Sequence, residues 1–383
     1  MLMIEISEKS KCTGCGACQN ICPKNCVEML ADEEGFLYPK VRNEYCINCR
    51  LCEKVCDKPG KIITDYSDRA FGVISSRENI RKRSSSGGVF SLLADFILDN
   101  DGIVFGAYFN NKWSVEHGYV NTKNDIDKLR GSKYVQSDTR YTYREVKQFL
   151  ELGKTVLFTG TGCQIKGLKS FLGKDYENLI CQDIVCHGVT PPRLLKKYLE
   201  LLKKKYKSEV RSISFRDKST GWKNYSVKIL FTNGKSYLKR ASDDLYMRSF
   251  LSKLYLRPSC YECPCKGEKR ESDITLGDFW GVNKIMPELD DDNGCSLVII
   301  HSKKGMELFN SIKEYALFKE VEFSKVEQYN KAIIESAEKP QNREKFIKEV
   351  NDNFARTIKN YCKIPVFLMV KIKIWRLFAS IKK

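Results

Sequence analysis

The pattern of apolar and polar positions changes near residue 65. Closely spaced cysteines dominate the chain up to that point, whereas apolar runs of strand length alternate with helical segments beyond it. Such alternation favours an α/β body built on a mixed sheet with flanking helices. The predicted strands are Phe71–Ser75, Ile103–Phe109, Trp113–Val120, Thr155–Phe158 and Leu179–Val185, and the predicted helices are Val89–Leu98, Tyr143–Leu152, Gln164–Leu172 and a helix that opens at Pro191-Pro192 and ends at Tyr206.

A second group of strands follows the last of these helices. The sequence predicts three strands, at Ser212–Arg216, Tyr225–Phe231 and Ser236–Arg240. Asn233-Gly234 separates the last two, and this dipeptide is typical of a two-residue hairpin turn. We therefore expect an antiparallel set beside the alternating strands and helices.

Composition bounds the size and class of the protein. The 383 residues correspond to about two to three domains, and 42% apolar and 30% charged residues are typical of a folded protein. The chain shows neither a signal peptide nor an apolar run long enough to span a bilayer. These features predict a cytoplasmic protein whose 17 cysteines are reduced and mostly hold metal.

The net charge of +18 favours anionic partners. No zinc-finger, RRM or KH pattern accompanies the charge, so nucleic acid is not expected as a partner. Acidic electron carriers, nucleotide-type cofactors and anionic lipid headgroups fit equally well. A solvated basic surface without a specific partner is the alternative.

Two cysteine runs repeat near the start of the chain. The spacing C-x2-C-x2-C-x3-C occurs twice, and each cysteine of the second run lies 34 residues beyond its counterpart. This spacing is the signature of bacterial ferredoxins, in which the fourth cysteine of each run reaches the other cluster. We therefore predict an electron-transfer domain with two [4Fe-4S] clusters. The first cluster would be held by Cys12, Cys15, Cys18 and Cys56, and the second by Cys22, Cys46, Cys49 and Cys52.

Zinc is the competing metal, because C-x2-C pairs also suit tetrahedral sites. Zinc ribbons, however, separate two pairs by a spacer, unlike the tight runs found here. Cys26 is an additional cysteine and is expected to be a small buried residue, since eight ligands are complete without it. Asp57 follows the second run, where the first run has Pro23.

Three glycine-bearing turns in the body are candidates for binding a phosphate. In Ser84–Gly88, hydroxyls, glycine amides and a helix start converge, although an ordinary serine cap explains the turn as well. Gly160–Gly162 follows a strand, yet the next glycine is Gly167, so the G-x-G-x-x-G spacing is not met. Gly131–Gln136 offers a cation, a phenol and an amide, and loop packing explains it equally well. Asp183 is a candidate ribose contact or a residue that organises its own loop.

A further set of cysteines is scattered through the body. Cys163 and Cys186 lie at the carboxyl ends of neighbouring predicted strands, where α/β sheets gather functional residues. With the C-x2-C pair Cys260 and Cys263, they would supply four thiolates for a third cluster. In the alternative, Cys163 and Cys181 are small core residues and the C-x2-C pair is a separate site.

His187 is the candidate catalytic residue. It directly follows Cys186 and is one of only three histidines in the chain. A lone histidine is usually structural, which is the alternative to a role in handling a proton or contacting a cofactor.

Several of these segments carry a family resemblance. They are Ser84–Gly88, Gly131–Ser137, Phe158–Gln164, Asp183–Gly188, Phe215–Lys218 with Gly221-Trp222, Arg257–Cys263 and Asp273–Trp280. In this order they resemble the family of the beta subunits of coenzyme F420 hydrogenases and dehydrogenases, over about residues 1–300. Two departures are Cys163, where proline-cysteine is commoner, and the extra Cys265.

The resemblance implies an iron-sulfur flavoprotein oxidoreductase. FAD would exchange a hydride with coenzyme F420 or another small-molecule donor or acceptor, and the clusters would pass electrons to or from a ferredoxin-like carrier or redox subunit. The alternative is a cluster-only electron-transfer or docking subunit of a larger complex, without its own flavin or substrate site. The residues assigned to the flavin pocket are Ser85, Ser86, Gly87, Gly88, Lys133, Gln136, Gly160 and Gly162.

These interpretations divide the chain into three parts. Residues 1–65 form a small ferredoxin-like α+β domain, residues 66–335 the flavin-binding α/β body, and residues 336–383 a helical tail. Pro365–Lys383 is expected to be a basic amphipathic helix, because its apolar positions share one face at helical spacing. Such a helix can rest on the inner face of an anionic membrane, or it can pack on the body or on a partner subunit.

Overall fold

A computed structural model describes residues 8–56 and 66–362 of the chain. The strands are β1 (Val27–Ala31), β2 (Leu37–Val41), β3 (Arg69–Ser75), β4 (Ile103–Phe109), β5 (Val115–Val120), β6 (Val156–Gly160), β7 (Leu179–Ile184), β8 (Val210–Asp217), β9 (Ser226–Phe231), β10 (Ser236–Arg240), β11 (Ile274–Asp278), β12 (Ser296–Ile300) and β13 (Ala316–Val321). The α-helices are α1 (Ala17–Ile21), α2 (Leu51–Cys56), α3 (Glu78–Arg83), α4 (Val89–Asp99), α5 (Thr142–Glu151), α6 (Gly162–Leu172), α7 (Pro192–Tyr206), α8 (Leu245–Leu251), α9 (Val282–Ile285), α10 (Lys303–Asn310), α11 (Phe323–Glu327), α12 (Arg343–Asp352) and α13 (Phe354–Tyr361).

Three sequence predictions fall outside the described residues. They concern Asp57, the domain boundary at residue 65 and the amphipathic helix Pro365–Lys383. Among the helices in residues 8–56 and 66–362, none combines the length and the apolarity that crossing a bilayer requires.

An eight-stranded mixed sheet forms the centre of the body, as the alternating pattern predicted. Its strand order is β13-β3-β12-β11-β7-β6-β4-β5. Strands β11, β7, β6 and β4 pair in parallel, and β3 points the same way because β12 is antiparallel to both β11 and β3. The carboxyl ends of these strands therefore meet at one edge of the sheet, called the carboxyl edge below. Such edges are where α/β sheets place ligands.

Helices cover both faces of this sheet. In β6, Leu157 packs in the core that contains α4 and α10, whereas Val156 and Phe158 pack in the core that contains α5 and α6. Successive side chains of a strand point to opposite faces, so a strand buried on both faces is apolar throughout. Burial on both faces explains why the apolar run in Thr155–Phe158 predicts a buried strand.

The predicted antiparallel set is confirmed, and it forms a sheet of its own. Strands β10, β9 and β8 pair in that order, apart from the large sheet. Gly234 in the predicted hairpin turn has a φ of +81°, which favours glycine. This small sheet shares a hydrophobic core with α7, α8, α12 and α13.

The N-terminal unit, residues 8–56, is docked on the helical layer of the body. It consists of the β1–β2 hairpin with α1 and α2. Ala17 and Cys18 of α1 share one hydrophobic core with Tyr143 of α5 and Ile165 of α6. The two parts are therefore continuous in packing.

Candidate functional site

The first predicted cysteine set lies where the N-terminal unit meets the body. Burial is the main cause that raises the pKa of the Cys18 thiol, and the nearby thiols of Cys15, Cys12 and Cys56 raise it further. Cys56 comes from the end of α2, which packs against α1. The fold thus gathers the three closely spaced cysteines and the distant one that crossed ligation requires.

The second predicted set lines a single cavity. Cys22, Cys46, Cys49 and Cys52 line it together with Cys26. Cys26 is buried, as expected, but its Sγ lies only 3.4 Å from the Sγ of Cys22. Burial raises the pKa of the Cys26 thiol to about 12, and the thiols of Cys22 and Cys46 add to the effect. The extra cysteine therefore lies directly beside the predicted ligands.

The scattered cysteines of the body converge at the carboxyl edge. Burial raises the pKa of the Cys163 thiol well above its usual value, and the thiols of Cys186, Cys263 and Cys260 contribute. These four residues come from three separate segments. Cys181 is fully buried in the core of the sheet. The geometry favours a shared third set over the alternative in which Cys163 is a core residue.

Cys265 adds a fifth thiol to this third set. A hydrogen bond with Cys265 is the main cause that lowers the pKa of the Cys263 thiol to about 6. The Cβ of Cys265 lies 3.0 Å from the position that a Cβ on Gly162 would occupy. Glycine at position 162 therefore permits the close approach of the cysteine loop to the start of α6.

A single metal ion and an iron-sulfur cluster require different spacings of their ligand sulfurs. Within residues 8–56 and 66–362, no group of three or more His, Cys, Asp or Glu side chains could hold one metal ion. A tetrahedral zinc ion with Zn–S bonds of about 2.3 Å would need thiolates about 3.8 Å apart. A [4Fe-4S] cubane is larger than one ion and holds its four cysteines further apart.

Helix α6 links the first and third sets. Cys163 is its second residue, and a Cβ on Gly167, one turn later, would stand 2.9 Å from the Sγ of Cys15. The buried Tyr143 hydroxyl lies 2.7 Å from the carbonyl oxygen of Cys15 and 3.0 Å from that of Gln164. Burial raises the pKa of this hydroxyl well above its usual value, and the thiols of Cys15 and Cys163 contribute. Tyr143 is therefore a neighbour of both sets.

Arg257 ties the first set to the body. Its side chain is fully buried, and Nε donates to the carbonyl oxygen of Cys12 at 2.9 Å while Nη1 donates to that of Leu37 at 3.0 Å. Nη2 lies 3.6 Å from the Sγ of Cys12, and the guanidinium stands 4.0 Å from the ring centre of Tyr38. Hydrogen bonds and positive charge near a ligand sulfur are known determinants of cluster potential.

Gln136 lies at the same interface. Its buried Oε1 accepts a hydrogen bond from the amide of Leu37 at 3.0 Å, and a Cβ on Gly14 would stand 2.6 Å from its Nε2. Among the described residues, no hydrogen-bond partner faces this Nε2. The side chain is thus directed at the N-terminal unit, and its contact with a flavin stays a prediction.

The Ser84–Gly88 turn and the Gly131–Ser137 loop meet at the carboxyl edge. The amide of Ser132 donates to the Oγ of Ser85 at 2.9 Å, and the Oγ of Ser86 donates to the carbonyl oxygen of Cys295 at 2.8 Å. Two of the three turns predicted to bind phosphate are therefore in direct contact.

Two partly buried lysines flank this pair of turns. The Nζ of Lys133 donates to three backbone carbonyls, and burial lowers the pKa of Lys133 to about 7. The Nζ of Lys218 donates to the carbonyl oxygen of Ser86 at 3.1 Å, and burial lowers its pKa to about 8. Within the described ranges, no carboxylate forms an ion pair with Lys133. A partly buried lysine such as Lys133, without a carboxylate partner, favours a bound anion.

Arg216 and Asp278 were not assigned to the site from the sequence. Arg216 is buried and its guanidinium lies 2.8 Å from the carboxylate of Asp278, while Nη2 lies 3.3 Å from the carbonyl oxygen of Ser85. Trp222 stacks on Trp280 at 5.0 Å and donates from Nε1 to Asp278 at 3.2 Å. The only sequence signal for this group was that its members fall in segments that carry the family resemblance.

The glycines of the first turn are required by contacts within the protein. A Cβ on Gly87 would collide with the carbonyl oxygen of Val73 and would stand 2.7 Å from the amide nitrogen of Ser296. Gly88 precedes α4 with a φ of +97°, a conformation that favours glycine. In the second turn, a Cβ on Gly160 would stand 3.1 Å from the Oε1 of Gln164. Their flavin contacts stay predictions.

His187 is placed next to the third set in the loop after β7. Burial lowers the pKa of its imidazole to about 4, with Lys253 and Lys266 as further causes. Its ring centre lies 5.2 Å from that of Phe250, and its Nε2 has no hydrogen-bond partner within the described residues. The ring is therefore neutral at pH 7, and a catalytic role stays a prediction.

Asp183 is not exposed to a ribose. It is 1% exposed, and its Oδ1 accepts a hydrogen bond from the hydroxyl of Thr275. Its Oδ2 lies 3.7 Å from the guanidinium of Arg270. These contacts join Asp183 to β11 and to Arg270, so neither a ribose contact nor the organisation of its own loop describes them.

Two cysteine sets at ferredoxin spacing, docked on a mixed sheet that gathers further thiols at its carboxyl edge, define an iron-sulfur electron-transfer protein. Residues 11–58 match the model of the 4Fe-4S dicluster domain. Residues 153–326 match the model that describes the C terminus of the coenzyme F420 hydrogenase/dehydrogenase beta subunit. The resemblance seen in the sequence is thereby confirmed: residues 153–326 are similar to the C terminus of the beta subunit of these hydrogenases and dehydrogenases.

Individual proteins are also similar to this chain. A subunit of the F(420)H(2) dehydrogenase of Methanosarcina mazei is 22% identical over 329 residues, which are 81% of this chain and 84% of that protein. An uncharacterised ferredoxin of Methanocaldococcus jannaschii is 41% identical over 51 residues, which are 13% of this chain and 65% of the ferredoxin. A solved structure of the F420-reducing [NiFe] hydrogenase complex from Methanosarcina barkeri contains a chain with 18% identity and a TM-score of 0.47, covering 79% of this chain and 92% of that chain.

Proposed function

We propose that the protein is an iron-sulfur flavoprotein oxidoreductase that moves electrons between a small-molecule hydride donor or acceptor and a ferredoxin-like carrier or redox subunit. The observation that carries the proposal is the convergence of Cys163, Cys186, Cys260 and Cys263 at the carboxyl edge. Helix α6 connects this third set to the first ferredoxin-type set. The proposed redox site of the body would thereby stand next to the predicted N-terminal clusters.

The turns at the carboxyl edge fit the phosphates of FAD. Ser85 and Ser86 would offer hydroxyls, and Lys133, Arg216 and Lys218 would supply the positive charge. A bound flavin would supply the conversion between hydride transfer, which moves two electrons together, and the transfer of single electrons. The protein's part is to hold the flavin beside the third set and to keep that site away from bulk water.

The second set fits the role of contact with an external carrier. Cys49 is exposed, and the large apolar side chains of Tyr45, Ile47 and Leu51 next to it are exposed as well. In the first set, Cys15 and Cys18 pack in the core that contains α5 and α6, and Cys56 at the end of α2 is exposed. Electrons would therefore pass from the carboxyl edge through the third and first clusters to the second, or in the reverse direction.

Analysis of anaerobically purified full-length protein tests this proposal. We expect about twelve iron atoms per chain for three clusters, against about eight for the two ferredoxin-type clusters alone. We also expect a yellow chromophore that heat releases as FAD. Protein with about eight iron atoms and no flavin would support the alternative, a cluster-only electron-transfer or docking subunit.

A flavin-pocket variant separates binding from folding. Lys133→Met should weaken flavin retention while the N-terminal clusters persist, because it removes a partly buried amino group from the turns. Lys112→Met is a matched control on the exposed loop between β4 and β5. Equal flavin content in the two variants would show that Lys133 does not contribute to flavin binding.

A further inference from the structure

A line of hydrogen bonds connects four side chains of the large sheet. The Oδ2 of Asp68 lies 2.8 Å from the Nδ1 of His301. The Nε2 of the same ring lies 2.8 Å from the Oγ1 of Thr275, whose hydroxyl lies 2.5 Å from the Oδ1 of Asp183. Each contact joins groups that can exchange a proton. Neither the proposed clusters nor the proposed flavin pocket accounts for this line.

The line runs across four adjacent strands. Asp68 directly precedes β3, His301 directly follows β12, Thr275 lies in β11 and Asp183 lies in β7. Ile300 pairs with Arg69, so His301 and Asp68 both lie just beyond the amino-terminal end of β3. Thr275 pairs with Asp183, which also pairs with Gly160 at the end of β6. The line therefore leads from the opposite edge of the sheet toward the carboxyl edge.

The two ends of the line differ in their surroundings. Asp68 is partly exposed and lines a surface cleft together with Arg69, Lys319 and Lys325. The other three residues are at most 1% exposed. At the inner end, the Oδ2 of Asp183 lies 3.3 Å from the position of a Cβ on Gly162, the residue before Cys163. One end thus meets solvent and the other meets the third cysteine set.

The hydrogen-bonding groups allow two arrangements with the same number of protons. In one, Asp68 is protonated and donates to Nδ1, Nε2–H of His301 donates to the Thr275 hydroxyl, and this hydroxyl donates to the Asp183 carboxylate. In the other, Nδ1–H donates to the Asp68 carboxylate, the hydroxyl donates to Nε2, and a protonated Asp183 donates to the hydroxyl. The first becomes the second when one proton moves along each bond. Every N–H or O–H bond that breaks is replaced by one that forms, so one proton leaves Asp68 and one arrives at Asp183.

We propose that Asp68, His301, Thr275 and Asp183 form a proton relay between the surface cleft and the redox site at the carboxyl edge. This inference rests on the proposed function. A hydride consists of one proton and two electrons, and clusters carry electrons only. When the two electrons of a hydride leave through the clusters, one proton remains and needs its own route. In the reverse direction, the same route supplies the proton. The guanidinium of Arg270 lies 3.7 Å from the other carboxylate oxygen of Asp183, Oδ2.

Thr275→Val and Thr275→Ser variants of the full-length protein test the relay. Valine keeps the shape of threonine but removes the hydroxyl, whereas serine keeps the hydroxyl. In stopped-flow experiments, we expect Thr275→Val to slow the reoxidation of hydride-reduced flavin through the clusters by about tenfold or more, with a larger solvent isotope effect, because proton transfer becomes limiting. Thr275→Ser should restore both values. Equal iron and flavin contents in the three proteins show that the cofactors are intact.

A second measurement does not depend on the flavin. The chain has only three histidines, so ¹⁵N-labelled histidine gives resonances that single variants assign. We expect the Nε2 resonance of His301 to shift in Thr275→Val and to return toward its original position in Thr275→Ser. Unchanged kinetics and isotope effect in flavin-loaded Thr275→Val would overturn the relay, and so would an unchanged His301 spectrum. The purified protein could instead lack flavin while the Nε2 resonance of His301 still shifts in Thr275→Val. This result would contradict the proposed function, because the hydrogen-bonded line would exist without its redox site.

Discussion

The N-terminal cysteine sets and the third set gather their thiols in different ways. All eight predicted N-terminal ligands lie within two short runs, and only the predicted crossing of Cys22 and Cys56 joins the runs. The third set draws Cys163, Cys186 and the C-x2-C pair from segments spread over about a hundred residues. Local spacing therefore prepares the first two sites, whereas the third depends on the order of strands in the large sheet.

This difference has a consequence for stability. A site built from one short run loses little geometry when distant parts of the body shift. A site built from three segments holds its geometry only while the surrounding sheet is intact, and its cluster in turn ties those segments together. We expect the third site to be coupled to the folding of the body, and the N-terminal sites to depend on it only through their docking contacts.

Cysteine substitutions give the largest expected effect. Cys18→Ala should remove about four iron atoms and leave flavin bound, because the other sites are complete without it. Cys260→Ala should remove about four iron atoms and also lower flavin retention, because its thiol belongs to the set beside the proposed pocket.

Cys181→Ala is the matched control, since this buried cysteine lies in the sheet core. Its iron content should equal that of the wild type. If Cys260→Ala also retained full iron and normal flavin reduction, the third cluster would be wrong.

The same difference explains which parts of the site were predictable. The eight N-terminal cysteines follow from spacing alone, and each of the strands predicted for the body is present. The sequence identified Cys163, Cys186, Cys260 and Cys263 as candidates, but their meeting requires β6 and β7 to be neighbours and the cysteine loop to fold over them.

Interactions between distant segments were not predictable. Arg216 and Asp278 form a buried ion pair across two different sheets, and neither residue has a local pattern that selects the other. Asp183 was readable as a polar residue at a strand end, but its burial depends on Thr275 and Arg270. Such pairings become visible only when the strand order is known.

Arg257 joins the N-terminal unit to the body, so substitution of Arg257 should weaken this docking. Arg257→Met should lower the free energy of unfolding by about 3 kcal/mol or more, because the carbonyl oxygens of Cys12 and Leu37 lose charge-assisted hydrogen bonds. It should also shift the potential of the first cluster to more negative values, since a cation next to the Cys12 sulfur is lost. Redox titration followed by EPR measures this shift.

Arg248→Met is the control for this prediction. Arg248 also donates to a backbone carbonyl, that of Cys362, but it contacts no predicted ligand. Its variant should lose stability without changing the cluster potential. A shift of equal size in both variants would show that the effect does not arise at the Cys12 sulfur.

Acid should affect the body and the N-terminal unit differently. All three histidines lie in the body, and burial lowers the pKa of His117 from 6.5 to about 4. The folded state therefore disfavours the protonated ring. His117 contributes its full stability above pH 6.5, and this contribution is lost as the pH falls toward 4, with about 2 kcal/mol lost by pH 5.

Urea unfolding at pH 7.5 and pH 5 measures this loss. No tryptophan lies in the N-terminal unit, and Trp113, Trp222 and Trp280 lie in the body, so the change in tryptophan fluorescence reports on unfolding of the body. His117→Gln should lose about 2 kcal/mol less between the two pH values than the wild type does. The same pH dependence in both proteins would assign the acid sensitivity to other groups.

Tyr143→Phe should give the smallest effect. The variant removes only the hydroxyl that lies within hydrogen-bonding distance of the carbonyl oxygens of Cys15 and Gln164. A buried hydrogen bond contributes about 1 kcal/mol, so the melting temperature should fall by about 2–4 °C with iron content unchanged. Tyr246→Phe removes a comparably buried hydroxyl beside Thr190 and should lower the melting temperature equally. If Tyr143→Phe alone also released iron, the hydroxyl would be needed to hold the first cluster, and the N-terminal sites would depend on the body as strongly as the third site does.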